Sequence, residues 1–249
     1  MAQIDVPGYL ARIGAKADDS LADLQHAHLL AVPFENLSVH LDEPYSLAPA
    51  DLCEKVVTRR RGGFCYELNG LFAVLLTELG HRVELRSARP RNGERWGSPL
   101  DHLALVVNDD VLVDVGFGAH STYPLRLDTA DDQPDPGGVF RVRPATHGEF
   151  EVTHDGEPAY LVEARPYELR DFAAMCWWQS HSPDTHFTRS LVCSRLTESG
   201  RVTLSGRKLI ETVDGARQES DLDGGAAVLG AYRDRFGIAL DRVPQVRAR

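Results

Sequence analysis

The apolar residues of this 249-residue chain change their spacing near residue 81, and that change constrains the fold more than any other feature. Before this point, apolar side chains recur every three or four positions, as in amphipathic helices. After it, they alternate with polar residues or form short apolar runs, as in β-strands. The last quarter contains both patterns. This order of elements predicts an α+β chain of three lobes.

The first third of the chain contains three predicted helices. The first spans residues 20–31 and opens with a Ser-x-x-Asp capping signal. The second starts near Leu52 and ends in three arginines (59–61), which suit the negative end of the helix dipole. The third runs from Cys65 to Gly80, and Gly62 and Gly63 separate it from the second.

The middle of the chain reads as an antiparallel barrel or sandwich. Its predicted strands are HRVELRSA (81–88), HLALVV (102–107), VLVDV (111–115), FRVRPA (140–145), FEVTHD (150–155) and YLVEARP (160–166). A short helical piece through Trp178 follows, then two strands (191–197 and 201–206). A helix from Gly225 to Phe236 closes the predicted order.

Net charge and hydropathy exclude several classes of protein. The formal charge of −10 argues against a nucleic-acid partner, which requires a basic surface to displace counterions. It also provides no attraction to anionic lipid. No apolar stretch approaches the roughly 20 residues that a membrane span requires, and the N-terminal sequence MAQIDVPGYL lacks the pattern of a signal peptide. We therefore expect a cytoplasmic protein without a membrane partner.

The four cysteines are too widely spaced for a C-x-x-C pair, so neither a zinc site nor any other metal site is predicted. Cys53, Cys176 and Cys193 lie among apolar residues, and we interpret them as buried side chains. Cys65 is different because it follows Gly62 and Gly63 at the start of a helix. Free N–H groups and the helix dipole at that position stabilise a thiolate and a developing oxyanion.

A thiol nucleophile requires a base, and His102 is the candidate histidine because it opens a strand whose partner strand carries an acid. That acid, Asp114, lies in an apolar run where a charge needs a partner. If the hairpin is symmetric about Asp109, His102 faces Gly116 and Asp114 is its diagonal neighbour, about 7–8 Å away between backbones. A shift of one residue would place the two side chains on opposite faces. We predict a catalytic triad of Cys65, His102 and Asp114.

Three segments also resemble the signature blocks of the arylamine N-acetyltransferases. They are PFENL (33–37), RRRGGFCYELNG (59–70) and LVDVGFG (112–118). The similarity extends from GYLARIG (8–14) through SHSPDTHF (180–187) to RFGI (235–238). RGGFCYELN is a highly specific match.

This resemblance implies a helical bundle (1–86), an antiparallel β-barrel (87–175) and an α/β lid (176–249) around a cysteine-protease-like core. It implies that acetyl-CoA acetylates Cys65 and that an arylamine, hydrazine or arylhydroxylamine then takes the acetyl group in a ping-pong cycle. Acetyl-CoA would be a cosubstrate, and no bound cofactor is expected. The triad positions of the family correspond to the three residues predicted above.

Other positions follow from the resemblance alone. Phe117 and Phe187 resemble walls of the acceptor pocket. Ser98 and Trp178 correspond to CoA contacts. Ser98 is equally consistent with an ordinary loop hydroxyl, and Trp178 with an aromatic side chain of the core.

Two further features of the sequence concern the support of the cysteine and a departure from the family. Glu35 and Arg61 resemble an ion pair that supports the cysteine loop. Asp101 departs from the family, which more often has a small or neutral residue there. Its charge would favour a cationic group or alter the acceptor pocket, and GAHSTYP (118–124) is also unusual.

Three alternatives to an acetyltransferase remain open at this point. The runner-up is an amide synthase that releases or cyclises a polyketide from an acyl carrier protein with the same triad. A cysteine protease or transglutaminase-like hydrolase would use the same residues on peptides. A binding module would retain the scaffold without the chemistry.

Overall fold

The computed structural model describes residues 4–246, and its helices lie mainly in the first third and near the end of the chain. They are α1 (Val6–Ile13), α2 (Leu21–Ala31), α3 (Leu37–Leu41), α4 (Pro49–Cys53), α5 (Cys65–Glu78), α6 (Ala173–His181), α7 (His186–Arg189) and α8 (Gly224–Phe236). The three predicted N-terminal helices correspond to α2, α4 and α5. The short helices α1, α3 and α7 were not predicted because four to eight residues carry too few apolar repeats.

Local capping explains where the predicted helices begin and end. The Ser20 hydroxyl accepts a hydrogen bond from the Asp23 N–H (3.2 Å) and donates one to the Asp23 carboxylate (2.6 Å), which fixes the start of α2. Helix α4 continues as a π-helical turn over Glu54–Thr58, and Arg59 ends it. Gly80 has a left-handed φ of 92° just after α5, as the predicted end required.

The larger sheet is antiparallel throughout. Its strands are β2 (Val83–Asn92), β3 (Arg95–Trp96), β4 (His102–Val107), β5 (Val111–Val113), β6 (Leu125–Arg126), β7 (Gln133–Asp135), β8 (Gly138–Pro144), β9 (Phe150–His154) and β10 (Glu157–Tyr167). The order is β6-β5-β4-β2-β10-β9-β8-β7, with β3 paired to β2. The Gln133 side chain on β7 bonds the Arg126 N–H (2.7 Å) and carbonyl (3.0 Å) on β6, so the two edge strands nearly close a barrel.

The hairpin of β4 and β5 has the predicted register. Leu105 pairs with Val113 and Val107 with Val111, so the ladder is symmetric about residue 109. Asn108 and Asp109 form the turn with φ of 53° and 70°, a left-handed conformation that Asn and Asp tolerate. The hairpin therefore directs His102 and Asp114 towards the same face of the sheet.

A second antiparallel sheet occupies the C-terminal part. It consists of β1 (Phe34–Glu35), β11 (Val192–Thr197), β12 (Gly200–Ser205), β13 (Lys208–Val213) and β14 (Ala216–Asp221), in the order β1-β11-β12-β13-β14. The sequence predicted only β11 and β12. Every residue of β14 is exposed, so the strand shows no alternation of apolar and polar residues from which to recognise it. Helix α8 has the predicted bounds to within one residue.

Three clusters of buried apolar residues lie behind these elements. One joins α1, α2 and α5 to the face of β4 that points away from the barrel interior, one lies inside the barrel, and one lies between the second sheet and α8. In the described part of the chain, no helix has the length and apolar composition needed to cross a membrane.

The segment before α5 is held by buried charges. The Arg61 guanidinium pairs with Glu35 at 2.9 Å and with Glu43 at 3.0 Å, and the Glu35 side chain is fully buried. Burial alone would raise the pKa of Glu35, but the charge of Arg61, together with that of Lys55, lowers it overall. Glu35 also accepts the Leu37 N–H at 2.6 Å. The expected ion pair of Glu35 and Arg61 is therefore present.

We predict that Arg61→Met lowers the free energy of unfolding by about 3–5 kcal/mol, because it leaves the Glu35 carboxylate buried without its main cation. Urea unfolding provides the measurement. Arg82→Met is the matched control, because the Arg82 pair with Asp109 is largely exposed and contributes little. Equal losses in the two variants would contradict the role assigned to Arg61.

Candidate active site

Cys65 is the first residue of α5, and its loop depends on close backbone contacts. A Cβ at Gly62 would lie 1.9 Å from the Pro33 carbonyl oxygen, so no larger residue fits there. The Gly63 carbonyl accepts the Glu35 N–H at 2.8 Å, which fastens the loop to β1. The Glu67 carboxylate accepts the Phe64 N–H at 3.2 Å and pairs with Lys55 at 2.6 Å. Cys65 thus starts a helix whose first turn is held by the hydrogen bond to β1 before the thiol and by the contacts of Glu67 after it.

His102 and Asp114 form a buried pair beside Cys65. His102 Nε2 lies 2.6 Å from Asp114 Oδ2, and both side chains are at least 96% buried. Burial alone would lower the pKa of His102, but Asp114 and a side-chain hydrogen bond with Cys65 raise it to about 10. Burial would raise the pKa of Asp114, but His102 lowers it overall. Since Nε2 binds the carboxylate, Nδ1 is the ring nitrogen left for the thiol.

Asn69 links the cysteine helix to the hairpin that carries this pair. Its amide nitrogen donates to the Leu103 carbonyl (2.6 Å) and to Asp114 Oδ1 (2.8 Å), and its oxygen accepts the Val115 N–H at 2.9 Å. Both carboxylate oxygens of Asp114 are therefore held in place, Oδ2 by His102 and Oδ1 by Asn69. Asn69 was not among the site residues predicted from the sequence. The signal was available, because Asn69 lies four residues after Cys65 on the same face of α5.

Tyr66 fixes the backbone that enters β4. Its hydroxyl donates to the carbonyls of Leu100 (2.9 Å) and Asp101 (3.0 Å). Leu100 has a left-handed φ of 65°, which is strained for a leucine and requires such support. The residue next to the thiol therefore sets the position of the residue next to the imidazole.

An open cavity of about 620 Å³ lies in front of Cys65 and His102. Three phenylalanines, Phe34, Phe117 and Phe187, form its apolar walls. Asp114 lies behind the imidazole and does not line the cavity. No group of three or more potential metal ligands is present among residues 4–246. The cavity has room for a small aromatic molecule next to the thiol.

The four positions inferred from the resemblance alone, Ser98, Phe117, Trp178 and Phe187, line this cavity. So does Asp101, the residue that departs from the family. Trp178 is 46% exposed, so the interpretation of this residue as a core aromatic is wrong. The other three cysteines are buried as expected, and burial raises the pKa of Cys176 and of Cys193.

The unusual GAHSTYP segment supplies a histidine that packs against Phe117. The His120 ring lies 5.2 Å from that of Phe117 and 5.0 Å from that of Tyr160, and Phe117 lies 5.0 Å from His102 between ring centroids. Burial lowers the pKa of His120 to about 4, so the ring is neutral near pH 7. The segment stood out in the sequence, but this packing was not predicted.

Comparison with known proteins identifies the class of enzyme. A family model described as N-acetyltransferase matches residues 19–246. The arylamine N-acetyltransferase of Mycolicibacterium smegmatis is 35% identical, over 95% of this chain and 93% of the relative. That of Escherichia coli strain K12 is 30% identical, over 94% and 88% respectively.

Solved structures agree with this assignment. The arylamine N-acetyltransferase of M. smegmatis superposes with a TM-score of 0.87 at 33% identity, over 98% of this chain and 97% of the other. The Mycobacterium marinum enzyme in complex with CoA gives a TM-score of 0.85 at 32% identity, over 94% and 93%. The chain belongs to the arylamine N-acetyltransferase family. The family recognised from the sequence is thus confirmed.

We predict that NMR titration of the wild type finds the His102 pKa near 10 and that Asp114→Asn lowers it, because burial then acts with less opposition. The charged pair of His102 and Asp114 stabilises the fold fully between about pH 3.8 and 6.5, the ordinary pKa values of the two side chains. This stabilisation is lost as pH rises towards 10, the pKa of His102 in the folded protein. Urea unfolding at pH 6 and pH 9.5 checks the sign, with Cys65→Ala as a control for the thiol. A wild-type pKa near 6.5 would contradict the prediction.

We predict that Asn69→Ala destabilises the protein by about 2–4 kcal/mol, because the Leu103 carbonyl and the Val115 N–H lose their partner inside the protein. It should also shift the NMR titration of His102, since one oxygen of Asp114 loses a donor. Thr77→Ala is the control, because Thr77 lies on the exposed side of the same helix and its hydroxyl donates to the Ala73 carbonyl. An unchanged His102 titration would remove Asn69 from the support of the pair.

Proposed function

We propose that the protein transfers an acetyl group from acetyl-CoA to an arylamine, hydrazine or arylhydroxylamine through a thioester on Cys65. The observation that carries the proposal is the buried His102–Asp114 pair beside a cysteine at a helix N-terminus, at the floor of an open cavity. Membership of the arylamine N-acetyltransferase family supports the choice of substrates. Acetyl-CoA is the cosubstrate, in keeping with the CoA complex of the M. marinum relative.

In the first half-reaction, Cys65 is the nucleophile and His102 the base. The imidazole takes the thiol proton, and Asp114 stabilises the imidazolium and fixes the tautomer. The thiolate sulfur attacks the carbonyl carbon of acetyl-CoA, and the backbone N–H groups at the start of α5 stabilise the oxyanion. The bond to the CoA sulfur then breaks, and CoA leaves with the proton from His102.

In the second half-reaction, the acceptor amine attacks the same carbonyl carbon. A C–N bond forms, the bond to Cys65 Sγ breaks, and the amine proton moves through His102 to the thiolate. We place Phe117 and Phe187 against the acceptor ring, and Ser98 and Trp178 on the CoA side. All four residues line the cavity in front of the thiol.

The alternatives raised by the sequence are less well supported. The relatives reported above are arylamine N-acetyltransferases over nearly their full length, which does not favour an amide synthase or a carrier-protein partner. The same relatives argue against a peptide hydrolase and a non-catalytic binding module.

We keep the three lobes (1–86, 87–175 and 176–249), the cysteine-protease-like core and the cytoplasmic location as proposals. The three separate apolar clusters support the lobes. The first boundary falls within β2, whose residues pair with β4 and β10 of the barrel.

We predict that acetyl-CoA without any amine adds the mass of one acetyl group to the wild type and releases CoA in a burst equal to the enzyme concentration. Intact mass spectrometry and thiol titration measure the two quantities. Cys65→Ala should gain no mass, whereas Cys176→Ser should be acetylated like the wild type. Acylation by longer or carrier-bound thioesters but not by acetyl-CoA would overturn the choice of donor and leave the cysteine chemistry intact.

A further inference from the structure

Asp101 places a carboxylate in the cavity that Cys65 and His102 line. It immediately precedes His102 in the chain, and Tyr66 fixes its backbone. A Cβ at Gly97 would lie 2.4 Å from Asp101 Oδ2, so the glycine leaves the room that the carboxylate occupies. The position of this charge is therefore determined by the fold around it.

The contacts of Asp101 leave its charge without a cationic side chain of its own. Gln179, a neutral residue of α6 that also lines the cavity, donates a hydrogen bond to Oδ1. The Ser98 N–H provides a second hydrogen bond, and His102 acts on the carboxylate only through its charge. Within the described residues, no Lys or Arg pairs with Asp101.

The second cavity-lining carboxylate, Asp184, provides a direct comparison. Asp184 is 3.8 Å from the Arg189 guanidinium, so its charge has a partner within the protein. Arg95 is the one Arg or Lys side chain among the described lining residues, and it forms no ion pair with Asp101. Of the two lining carboxylates, Asp101 is the more enclosed one and forms no ion pair with a Lys or Arg side chain of residues 4–246.

We infer that Asp101 selects acceptors which carry a second, cationic group beside the nucleophilic arylamine nitrogen. This inference rests on the proposed function, because it concerns the amine that discharges the acetyl thioester. The aromatic ring of such an acceptor packs between Phe117 and Phe187, and its protonated alkylamine substituent binds the Asp101 carboxylate. The arylamine nitrogen stays neutral at pH 7 and attacks the thioester.

The charges of the acetylated state favour this selection. Acetylation replaces the thiol proton of Cys65, and the resulting thioester carries no charge. His102 must be neutral to accept the proton of the attacking amine. In this reactive form, in which the imidazolium has lost its proton, Asp114 and Asp101 are two carboxylates with no cation between them, and a cationic acceptor is attracted at the step where it is needed.

The test compares two acceptors of nearly equal shape, 4-ethylaniline and 4-(2-aminoethyl)aniline, of which only the second carries an alkylammonium group. Enzyme acetylated in advance on Cys65 is mixed with each acceptor at low ionic strength, and loss of the thioester is followed in single turnovers. This design removes donor binding from the measurement. The variants are Asp101→Asn and, as the matched control, Asp184→Asn.

We expect the wild type to prefer the cationic acceptor and Asp101→Asn to reduce that preference about fivefold, the effect of a partly exposed charge pair. Asp184→Asn should leave the preference within about twofold, because the Asp184 side chain is 80% exposed and water weakens the attraction of its charge for a ligand. Raising the salt concentration should reduce the wild-type preference, a result that requires no variant.

An unchanged preference in Asp101→Asn, or an equal loss in Asp184→Asn, would overturn the inference while the neutral acceptor still reports transfer. An effect of Asp101→Asn on the KM for acetyl-CoA alone would also overturn it, because the carboxylate would then face the donor. If no acetyl thioester forms with the wild type, the proposed function fails, and the inference fails with it.

Discussion

The hydrogen bonds of Asn69 hold together the two parts of the molecule that make the site. Cys65 belongs to a helix, whereas His102 and Asp114 belong to a hairpin of the barrel, so the geometry depends on how α5 packs against β4 and β5. Apolar packing sets the distance between these elements but allows a helix to slide or rotate. Asn69 binds the Leu103 carbonyl, the Val115 N–H and Asp114 at once, and these directional contacts fix one arrangement.

The site is built on buried charges that are costly unless paired. Glu35 with Arg61 and Lys55 with Glu67 lie under the cysteine loop, and each pair is almost completely removed from water. Such pairs seldom add much net stability, but breaking one leaves an uncompensated charge. Their effect here is specificity, since Glu35 and Glu67 also accept N–H groups of Leu37 and Phe64 and so define the loop before the thiol.

The sequence was sufficient for those parts of the site that depend on local pattern. The glycines before Cys65 and the hairpin around Asp109 predicted the helix start and the register, because each is set by a few neighbouring residues. Tyr66 was missed, since its partners lie 34 or more residues away and its contacts follow from packing. The position of Asn69 on the Cys65 face of α5 could be read from the sequence, but its partners, also 34 or more residues away, could not. Strand β14 was missed for another reason. It is exposed along its whole length, so no alternation of apolar and polar residues marks it as a strand.

Asp101 and Asp114 are two aspartates near His102 whose surroundings give them different roles. Asp114 is fully buried, and its oxygens are occupied by His102, Asn69 and the Gly116 N–H, so it binds nothing from outside. Burial raises the pKa of Asp101, but this residue faces the cavity and keeps part of its surface open. A carboxylate closed off by donors orients the imidazole, whereas one held by a neutral amide remains able to bind a ligand. The difference lies in the surroundings, because α5 packs over Asp114 and α6 reaches Asp101 only through Gln179.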